Sequence, residues 1–285
     1  MKSNNLKNIP SLLLATLFIS TSGVLGKYIA MPVEAIVWFR SVFAVVFIYG
    51  YCRFTKVDLN IKAKKDWIPF LLSAFFMAGH WLTYFYALKL SNVAIAMLSL
   101  FTFPIITAFL EPFFSKTKFD PIYIFLGILV LTGLYILAPE FSLESNELKG
   151  ILLALSSAVC YSLRILILKQ HVSNYNGSML MLYQTAIISI FLAPILFFVD
   201  ISGFQSQFPY LILLAVLTTA IGHTMMVKSL KHFSASTATF ISSIQPIFGI
   251  IIAFFVVNEI PTLHTFWGGS LILLTVVIES FRSSK

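Results

Sequence analysis

Two stretches of the sequence, ALKLSNVAIAMLSLFTFP at 87–104 and SLKHFSASTATFISSIQP at 229–246, follow the same plan. Each begins with a Leu-Lys pair, continues through a short polar turn into small and β-branched residues, and ends on a proline. In both stretches 16 residues separate the leucine from the proline, which is Pro104 in the first and Pro246 in the second. One pattern repeated at a spacing of 142 residues predicts two copies of one structural unit.

The whole chain is too apolar for a water-soluble protein. Hydrophobic residues make up 59% of it and charged residues 11%, whereas soluble domains contain about 25% charged residues. A soluble domain of this size exposes much of its surface, so the solvent that accepts this composition is lipid. The net charge of +8 is spread over short connections rather than gathered on one basic face. We therefore expect the lipid bilayer as a partner and no nucleic acid.

Ten segments are long and apolar enough to cross a bilayer, because a spanning helix needs about 20 mostly apolar residues. They are 9–28, 33–54, 67–88, 92–115, 119–139, 148–170, 178–199, 209–230, 235–258 and 262–281. The first continues beyond the length of a typical signal-peptide core, which favours a retained helix. The connections are short and contain turn residues such as Asp120-Pro121 and Asn176-Gly177. The predicted fold class is an all-α membrane protein with ten transmembrane helices.

The repeat divides these helices into two units of five, residues 1–142 and 143–285. Because five is an odd number, the second unit crosses the membrane in the opposite sense to the first. Such inverted repeats are typical of secondary transporters. Pro104 and Pro246 lie in the fourth helix of each unit, where each removes a helical hydrogen bond and predicts a kink. Matched breaks of this kind often flank a binding site, and a kink without function is the alternative.

The distribution of Lys and Arg predicts the orientation. With the N-terminus inside, 14 of the 19 Lys and Arg residues lie on the inner side and 3 on the outer side, while Arg40 and Arg164 lie within spans. Cytoplasmic loops of membrane proteins carry such an excess of positive charge. We predict a multi-pass protein of the cytoplasmic (inner) cell membrane, with its N-terminus and C-terminus in the cytoplasm.

Ionisable side chains inside a span are costly in lipid, so each is a candidate functional residue. His80 and His223 lie near the bilayer centre, in the third and eighth helices, which are equivalent in the repeat. Imidazole suits substrate contact or proton coupling, and the alternative is a structural hydrogen bond between helices. Trp81 and Tyr84 accompany His80, and Tyr84 shares its helix face at i+4. Their rings suit the wall of a substrate site, with ordinary packing as the alternative.

Polar groups on other helices extend this set. Arg164 follows Tyr161 by almost one turn of the sixth helix. Its guanidinium either clamps a carboxylate or phosphate in the cavity, or extends to the headgroups or forms an ion pair. Arg40 in the second helix is a gating candidate, with a structural anchor or an interhelix pair as the alternative. Gln245 contacts substrate or satisfies a backbone group freed by Pro246.

Glu111 lies near the inner end of the fourth helix. It either forms a surface ion pair with Lys116 or Lys118 or carries a proton, because partial burial favours the neutral carboxyl group. Coupling to the proton through Glu111 or a histidine, and transport without coupling, are both open. The residues predicted for coupling or gating are Glu111, Pro104, Pro246 and Arg40.

The sequence contains no phosphate-binding loop, no cluster with metal-ligand spacing and no catalytic elbow. We therefore expect no catalytic residue, no metal and no cofactor, and we do not expect an enzyme.

Several short stretches resemble the drug/metabolite transporter (DMT) superfamily, and within it the EamA-type transporter family. They are Trp38-Phe39-Arg40-Ser41, Tyr86-Ala87-Leu88-Lys89, Ala235-Ser236-Thr237-Ala238, Gln245-Pro246 and Asn258-Glu259. The resemblance covers essentially the whole chain as two five-helix units. It implies ten helices and a central cavity walled by the first, third, fourth, sixth, eighth and ninth of them. It also implies transport of amino acids, nucleotide-related compounds, sugars or drugs, often outward.

One position departs from that family. The first helix has Ser22-Gly23 where the family often has a Trp-Gly pair, so no cavity residue is assigned to this helix.

The expected function is a secondary transporter, an exporter of a small-molecule metabolite such as an amino acid, that works by alternating access. The predicted substrate-binding residues are His80, Trp81, Tyr84, Tyr161, Arg164, His223 and Gln245. The alternative is a polytopic membrane enzyme acting on lipid-linked substrates. Such an enzyme would need carboxylates, histidines or nucleophiles clustered near one membrane interface, and the sequence has no such cluster.

Overall fold

The computed structural model describes residues 7–115, 118–138 and 142–283, and the regular secondary structure of this part of the chain is helical. Its main helices are α1 Ile9–Tyr28, α2 Val33–Phe54, α3 Trp67–Leu90, α4 Val93–Phe114, α5 Ile122–Leu137, α6 Asn146–His171, α7 Gly177–Phe197, α8 Phe204–Ser229, α9 Ala235–Val256 and α10 Leu263–Ser283. Eight of them, all except α5 and α10, are long and apolar enough to span a membrane. The prediction of an all-helical, multi-pass membrane protein is confirmed, whereas the count of ten spans stays a prediction for α5 and α10.

Most helix bounds agree closely with the apolar segments, and α8 differs most. It begins at Phe204, five residues before the predicted start at 209, and Pro209 lies inside its first turns. Polar residues form the additional turn: Ser206 Oγ and the backbone N–H of Gln207 both donate to the carbonyl of Gly203, at 3.0 and 3.1 Å. Hydropathy cannot detect a polar turn that extends a helix beyond the apolar layer.

Two helices are broken at equivalent positions. Helix α4 is interrupted between Leu100 and Phe103, and α9 is interrupted between Ser242 and Gln245. The predicted kinks are therefore complete breaks. Pro104 and Pro246 each take the second position of the segment after the break, where the N–H that proline lacks would have no helical partner. The segments are Val93–Leu100 and Phe103–Phe114 in α4, and Ala235–Ser242 and Gln245–Val256 in α9.

The middle of α8 is wound more widely than an α-helix. Residues Leu214–His223 are π-helical, with hydrogen bonds from each residue to the fifth residue before it. Windings of this kind are rare and are frequently found at functional sites.

The two halves of the chain interlock rather than lie side by side. Helix α3 packs along α6 of the other half, and the equivalent pair is α8 along α1. In the same way α4 packs on α6 and α9 packs on α1, while α2 contacts α7 and α5 contacts α10. Each contact between the halves thus has a partner at the equivalent place, which is the packing expected for two copies related by an approximate two-fold axis.

Helices α5 and α10 approach most closely at two glycines. A Cβ atom on Gly268 would lie 2.6 Å from the carbonyl oxygen of Gly133 and 2.8 Å from the backbone nitrogen of Leu137. Small residues that allow backbones to approach are typical of helix pairs in membranes. This contact joins the last helix of one half to the last helix of the other.

Two lysines make equivalent contacts at the helix ends. Lys27 and Lys169 are 142 residues apart. Each donates through Nζ to two backbone carbonyls at, or just after, the C-terminal end of a neighbouring helix. The acceptors are Leu88 and Ser91 for Lys27, and Leu230 and Phe233 for Lys169, at distances between 2.5 and 2.8 Å. Helix C-termini carry carbonyls without helical partners and attract cations. The lysines therefore tie α1 to α3 and α6 to α8.

Candidate functional site

A cavity lies at the centre of the molecule, where the two halves meet. Its walls come from α1, α3, α4, α6, α8 and α9, the six helices that the family resemblance implies. Six of the seven predicted substrate-binding residues line it and are buried: His80, Trp81, Tyr84, Tyr161, His223 and Gln245. The seventh, Arg164, lies behind the wall. The structure therefore brings most of the predicted site together in one place.

The cavity is closed around its centre. The space that can hold the centre of a water molecule is about 20 Å³, and one water requires roughly 10–15 Å³ by the same measure. An organic molecule would enter the centre only if the walls moved apart.

His80 is fixed by a serine on the opposite half. Its Nδ1 lies 2.7 Å from Ser157 Oγ of α6, and the same hydroxyl donates to the backbone carbonyl of His80 at 2.8 Å. Because the hydroxyl has one proton and donates it to the carbonyl, Nδ1 must be the donor to Ser157 Oγ. Nε2 is then the nitrogen available to a ligand. The imidazole also contacts the Tyr161 ring, with 4.5 Å between centroids.

His223 stands at the end of the π-helical segment and faces the other half. Its Nδ1 has no hydrogen-bond partner within the described ranges, and neither does Nε1 of Trp81. The rings of these two residues lie 5.9 Å apart. Residue 81 plus the repeat spacing of 142 gives 223, so the repeat pairs His223 with Trp81 rather than with His80. Two equivalent residues in contact with each other place the approximate two-fold axis through this cavity.

Arg40 joins three helices and is fully buried. Nε donates to Thr219 Oγ at 2.6 Å and Nη2 donates to Thr218 Oγ at 2.9 Å, both in the π-helical part of α8. Nη1 lies 3.4 Å from Ser22 Oγ of α1. The guanidinium carbon is 4.0 Å from the centroid of the Trp81 ring, which is close enough for a cation–π contact. Arg40 therefore lies directly behind two residues of the cavity wall.

Arg164 lies behind Tyr161, on another side of the same cavity. Its side chain is fully buried, so the alternative in which it extends to the headgroups is wrong. Nε and Nη2 donate to Oε1 of Gln184 at 3.2 and 3.0 Å. Nη1 has no hydrogen-bond partner among the residues described. The guanidinium carbon lies 5.5 Å from the centroid of the Tyr161 ring.

Neither buried arginine has a carboxylate partner in the described part of the chain. There the ion pairs join Arg282 to Asp120 and to Glu279, at the end of α10. Removing a charge from water costs several kcal/mol unless hydrogen bonds and an opposite charge compensate for it. Hydroxyl and amide oxygens supply part of that compensation here. The positive charge itself stays unbalanced by the residues that surround it.

Glu111 caps a helix of the other half. Its carboxylate accepts hydrogen bonds from the backbone N–H groups of Ala235 and Ser236, at 3.1 and 3.3 Å, and from the Ser236 hydroxyl. It thereby satisfies donors at the start of α9. The expected ion pair with Lys118 is absent from the described ion pairs, and Lys116 lies outside the described residues. The helix N-terminus replaces the lysines because its N–H groups carry partial positive charge.

Glu259 makes the equivalent contact at the opposite end of the molecule. Its carboxylate accepts from the backbone N–H of Val93 at 2.7 Å, which is the first residue of α4 as Ala235 is the first residue of α9. The N-terminus of each broken helix is therefore capped by a carboxylate that lies at, or just after, the C-terminal end of the other broken helix.

Several residues of the site were not predicted from the sequence. Ser22 and Phe103 line the cavity, Ser157 fixes His80, and two threonines of α8 bind Arg40. The repeat contains the signal for Phe103, because that residue occupies the position in the first half that Gln245 occupies in the second. The threonine and serine contacts join residues more than 70 positions apart, and no local pattern marks them.

The described residues contain no group of three or more His, Cys, Asp or Glu side chains that could hold a metal ion. Candidate ligands for a small organic molecule are therefore the aromatic rings, histidines and amide of the cavity.

Comparison with solved structures gives the fold. A crystal structure of a protein superposes with a TM-score of 0.75 at 15% sequence identity, over 97% of both chains. At that identity the likeness shows the architecture alone. No curated protein matches the sequence.

Comparison with family models gives the relationship. The model of the EamA-like transporter family matches twice, at residues 6–138 and 148–281, so that almost the whole chain is covered by two copies of one unit. The broken helices, the paired contacts and the central cavity belong to these two copies. The chain is thus a membrane protein of the EamA-like transporter family, which belongs to the drug/metabolite transporter superfamily.

Proposed function

We propose that this protein is a secondary transporter that exports small metabolites such as amino acids across the cytoplasmic membrane by alternating access. The observation that carries the proposal is the closed cavity between the two halves, lined by buried histidines, aromatic rings and an amide. A narrow site on the axis that relates two repeats, which admits a ligand only when its walls move, is what alternating access requires.

All ten helices cross the membrane in this proposal, as two inverted five-helix repeats at 1–142 and 143–285. Helix α5 has 16 residues, which at 1.5 Å per residue gives about 24 Å. A bilayer adapts to such a short span by local thinning at modest cost. Its place beside α10 in the last layer of the bundle supports the same role for both.

The two carboxylate caps are the proposed gates. With both termini in the cytoplasm, Glu111 lies at the inner end against α9 and Glu259 lies at the outer end against α4. Release of one cap while the other stays closed opens the cavity to one side. Pro104 and Pro246 allow the two segments of each broken helix to move separately, and Arg40 connects this movement to α8. The proton is the proposed coupling ion.

The seven predicted substrate-binding residues keep that role in the proposal. His80, Trp81, Tyr84, Tyr161, His223 and Gln245 contact the metabolite directly, and Arg164 reaches it once the Tyr161 ring moves. No catalytic step is involved, and the enzyme alternative on lipid-linked substrates is not favoured because the family consists of transporters.

The proposal is tested by comparing the metabolites outside cells that produce the wild-type protein, cells that produce His80→Ala at equal membrane level, and cells with an empty vector. We expect one class of compound to accumulate outside only with the wild-type protein. His264→Ala is the matched control, because His264 is exposed at the start of α10, a helix that contributes no residue to the cavity wall. If wild-type and empty-vector cells give the same external profile, export is contradicted.

A further inference from the structure

We propose that the cavity accepts an organic anion, namely a monocarboxylate with a flat apolar body and no ammonium group. The inference rests on the proposed transport function and names the substrate class of the same site. It narrows the small metabolites of that proposal to organic anions and replaces the amino acids given there as the example. Its basis is the charge around the cavity rather than the shape of the cavity.

Two buried cations surround the cavity without a counter-ion. Arg40 lies behind Trp81 and Ser22, and Arg164 lies behind Tyr161, while all three of these residues line the wall. The described ion pairs involve neither arginine. Among the described residues the acid that is buried is Glu279, which is paired with Arg282 at the far end of α10. A single negative charge in the cavity would be attracted by both guanidinium groups at once.

Unpartnered donors point to the same ligand. Arg164 Nη1 and Trp81 Nε1 are buried and have no hydrogen-bond acceptor in the described residues. Burying a donor without a partner is unfavourable, and more so when the group is charged. A carboxylate supplies up to four lone-pair sites. Once the Tyr161 ring has moved aside, a carboxylate can satisfy these donors and balance the charge, whereas a neutral molecule can do only the first.

An ammonium group has no corresponding partner. A zwitterionic metabolite would bring a second, positive group into a cavity whose described walls carry no carboxylate. That group would be desolvated next to two guanidinium ions, which is unfavourable by several kcal/mol. The wall therefore favours a net negative ligand over a zwitterion, and a zwitterion over a cation.

The remaining wall suits a flat apolar body. His80, Tyr84, Tyr161, Phe101 and Phe103 supply rings on several sides. Stacked and edge-to-face contacts with an aromatic ligand are favourable beyond the burial of apolar area. Because the closed cavity has room for little more than one water, these rings must shift to admit a ligand. A shift of Trp81 or Tyr161 uncovers the arginine that lies behind it.

The test uses three compounds with one skeleton and three charges: phenylpyruvate, phenylalanine and phenethylamine. Binding to the purified full-length protein is measured by thermal shift in detergent, and transport is measured with the labelled compounds in proteoliposomes. We expect phenylpyruvate to bind at least tenfold more tightly than phenylalanine, and phenethylamine to have no effect. Arg164→Gln is expected to reduce the preference for phenylpyruvate over phenylalanine. Arg282→Gln, at the end of α10, is the matched control and should leave that preference unchanged.

Every outcome decides the proposal. Equal or tighter binding of phenylalanine or phenethylamine overturns it, and so does the absence of phenylpyruvate binding. The negative charge near the arginines could come from an inorganic ion or from the organic carboxylate. A titration with sodium chloride distinguishes them, with sodium methanesulfonate at equal ionic strength as the control. If chloride stabilises the protein and phenylpyruvate does not compete with it, the arginines hold an inorganic ion and the proposal fails. In each of these cases transport itself is judged separately by the export of metabolites from cells, so the two failures are distinguishable.

Discussion

The ends of the molecule and its centre differ in how closely the two halves agree. At the ends, the contacts of the second half resemble those of the first: each of two lysines one repeat apart binds two carbonyls. Each of two carboxylates caps a broken helix, although Glu111 and Glu259 do not occupy equivalent positions in the repeat. The side chains of Asn92 and Ser234, exactly one repeat apart, each accept from a backbone N–H three residues later. At the centre, equivalent positions carry different chemistry. The pairs are Ile19 with Tyr161, Ser22 with Arg164, Trp81 with His223 and Phe103 with Gln245.

This difference separates two tasks. In the proposed alternating access, closing the cavity at either end requires the same movement in opposite directions, so equivalent contacts serve both ends. Recognising one ligand requires an asymmetric set of groups, because a small molecule has no two-fold axis of its own in general. Duplication of the five-helix unit provides the equivalent contacts for closing the cavity. Divergence at a few central positions provides the asymmetric groups for recognising a ligand.

The largest effect is expected at the lysines, where Lys27→Met and Lys169→Met should destabilise the protein by similar amounts. Each substitution removes two hydrogen bonds from a charged donor, worth about 1.5–3 kcal/mol each, and leaves carbonyls at a helix end unsatisfied. Thermal unfolding in detergent measures the loss. Lys149→Met is the control, since Lys149 Nζ binds one exposed loop carbonyl, that of Glu144. A large loss for one of the two lysines and none for the other would break the equivalence of the ends.

A smaller effect is expected when either carboxylate cap, Glu111 or Glu259, is removed, and the two substitutions should open the cavity at opposite ends. Loss of a capping side chain costs about 0.5–2 kcal/mol, which shifts the closed–open equilibrium by roughly 2- to 30-fold. We expect Glu111→Ala to open the cavity at one end and Glu259→Ala to open it at the other.

The measurement is labelling of Ser22→Cys, in a Cys52→Ser, Cys160→Ser background, by an impermeant thiol reagent in right-side-out and inside-out vesicles. Glu144→Ala, in an exposed loop, is the control. Labelling that rises from the same face in both cap variants would contradict the proposed gates.

The smallest effect on stability is expected at the centre, where the double exchange Trp81→His, His223→Trp swaps two rings related by the repeat. Since the total volume is kept, the free energy of unfolding should change by less than about 1.5 kcal/mol. Substrate preference should change more, because Arg40 loses the ring on which it lies. Binding of a ligand series before and after the exchange measures it. An unchanged preference would mean that asymmetry at this pair plays no part in recognition.

Most of the fold could be predicted from the sequence because lipid imposes a long, simple pattern. Apolar runs gave the helices, and the prolines at 104 and 246 gave the breaks in α4 and α9, since proline removes a donor wherever it stands. The π-helical winding of α8 was missed because Leu214–His223 contains no proline, and its polar residues Thr218, Thr219 and His223 also occur in regular α-helices. The winding depends on what packs against it, including Arg40, which is 178 and 179 residues from its two threonine partners.

The candidate site was predictable to the extent that charge or polarity is rare in a span. His80, His223 and Arg164 stand out against apolar neighbours, and Trp81, Tyr84 and Tyr161 lie beside them in sequence. The role of Glu111 was not predictable, because a carboxylate can pair with a lysine nearby in sequence or with a helix start 124 residues away. Only the packing of α4 on α9 decides between these partners.

The π-helical segment gives α8 a movable register. An α-helix has 3.6 residues per turn, and a π-helix accommodates about one more. If Leu214–His223 rewound to α geometry, the part of the helix after it would rotate by roughly one residue, or about 100°. His223 would leave the cavity wall and a neighbour such as Gly222 would take its place. A change of winding inside one helix is thus enough to exchange an imidazole for a bare backbone at the centre of the molecule.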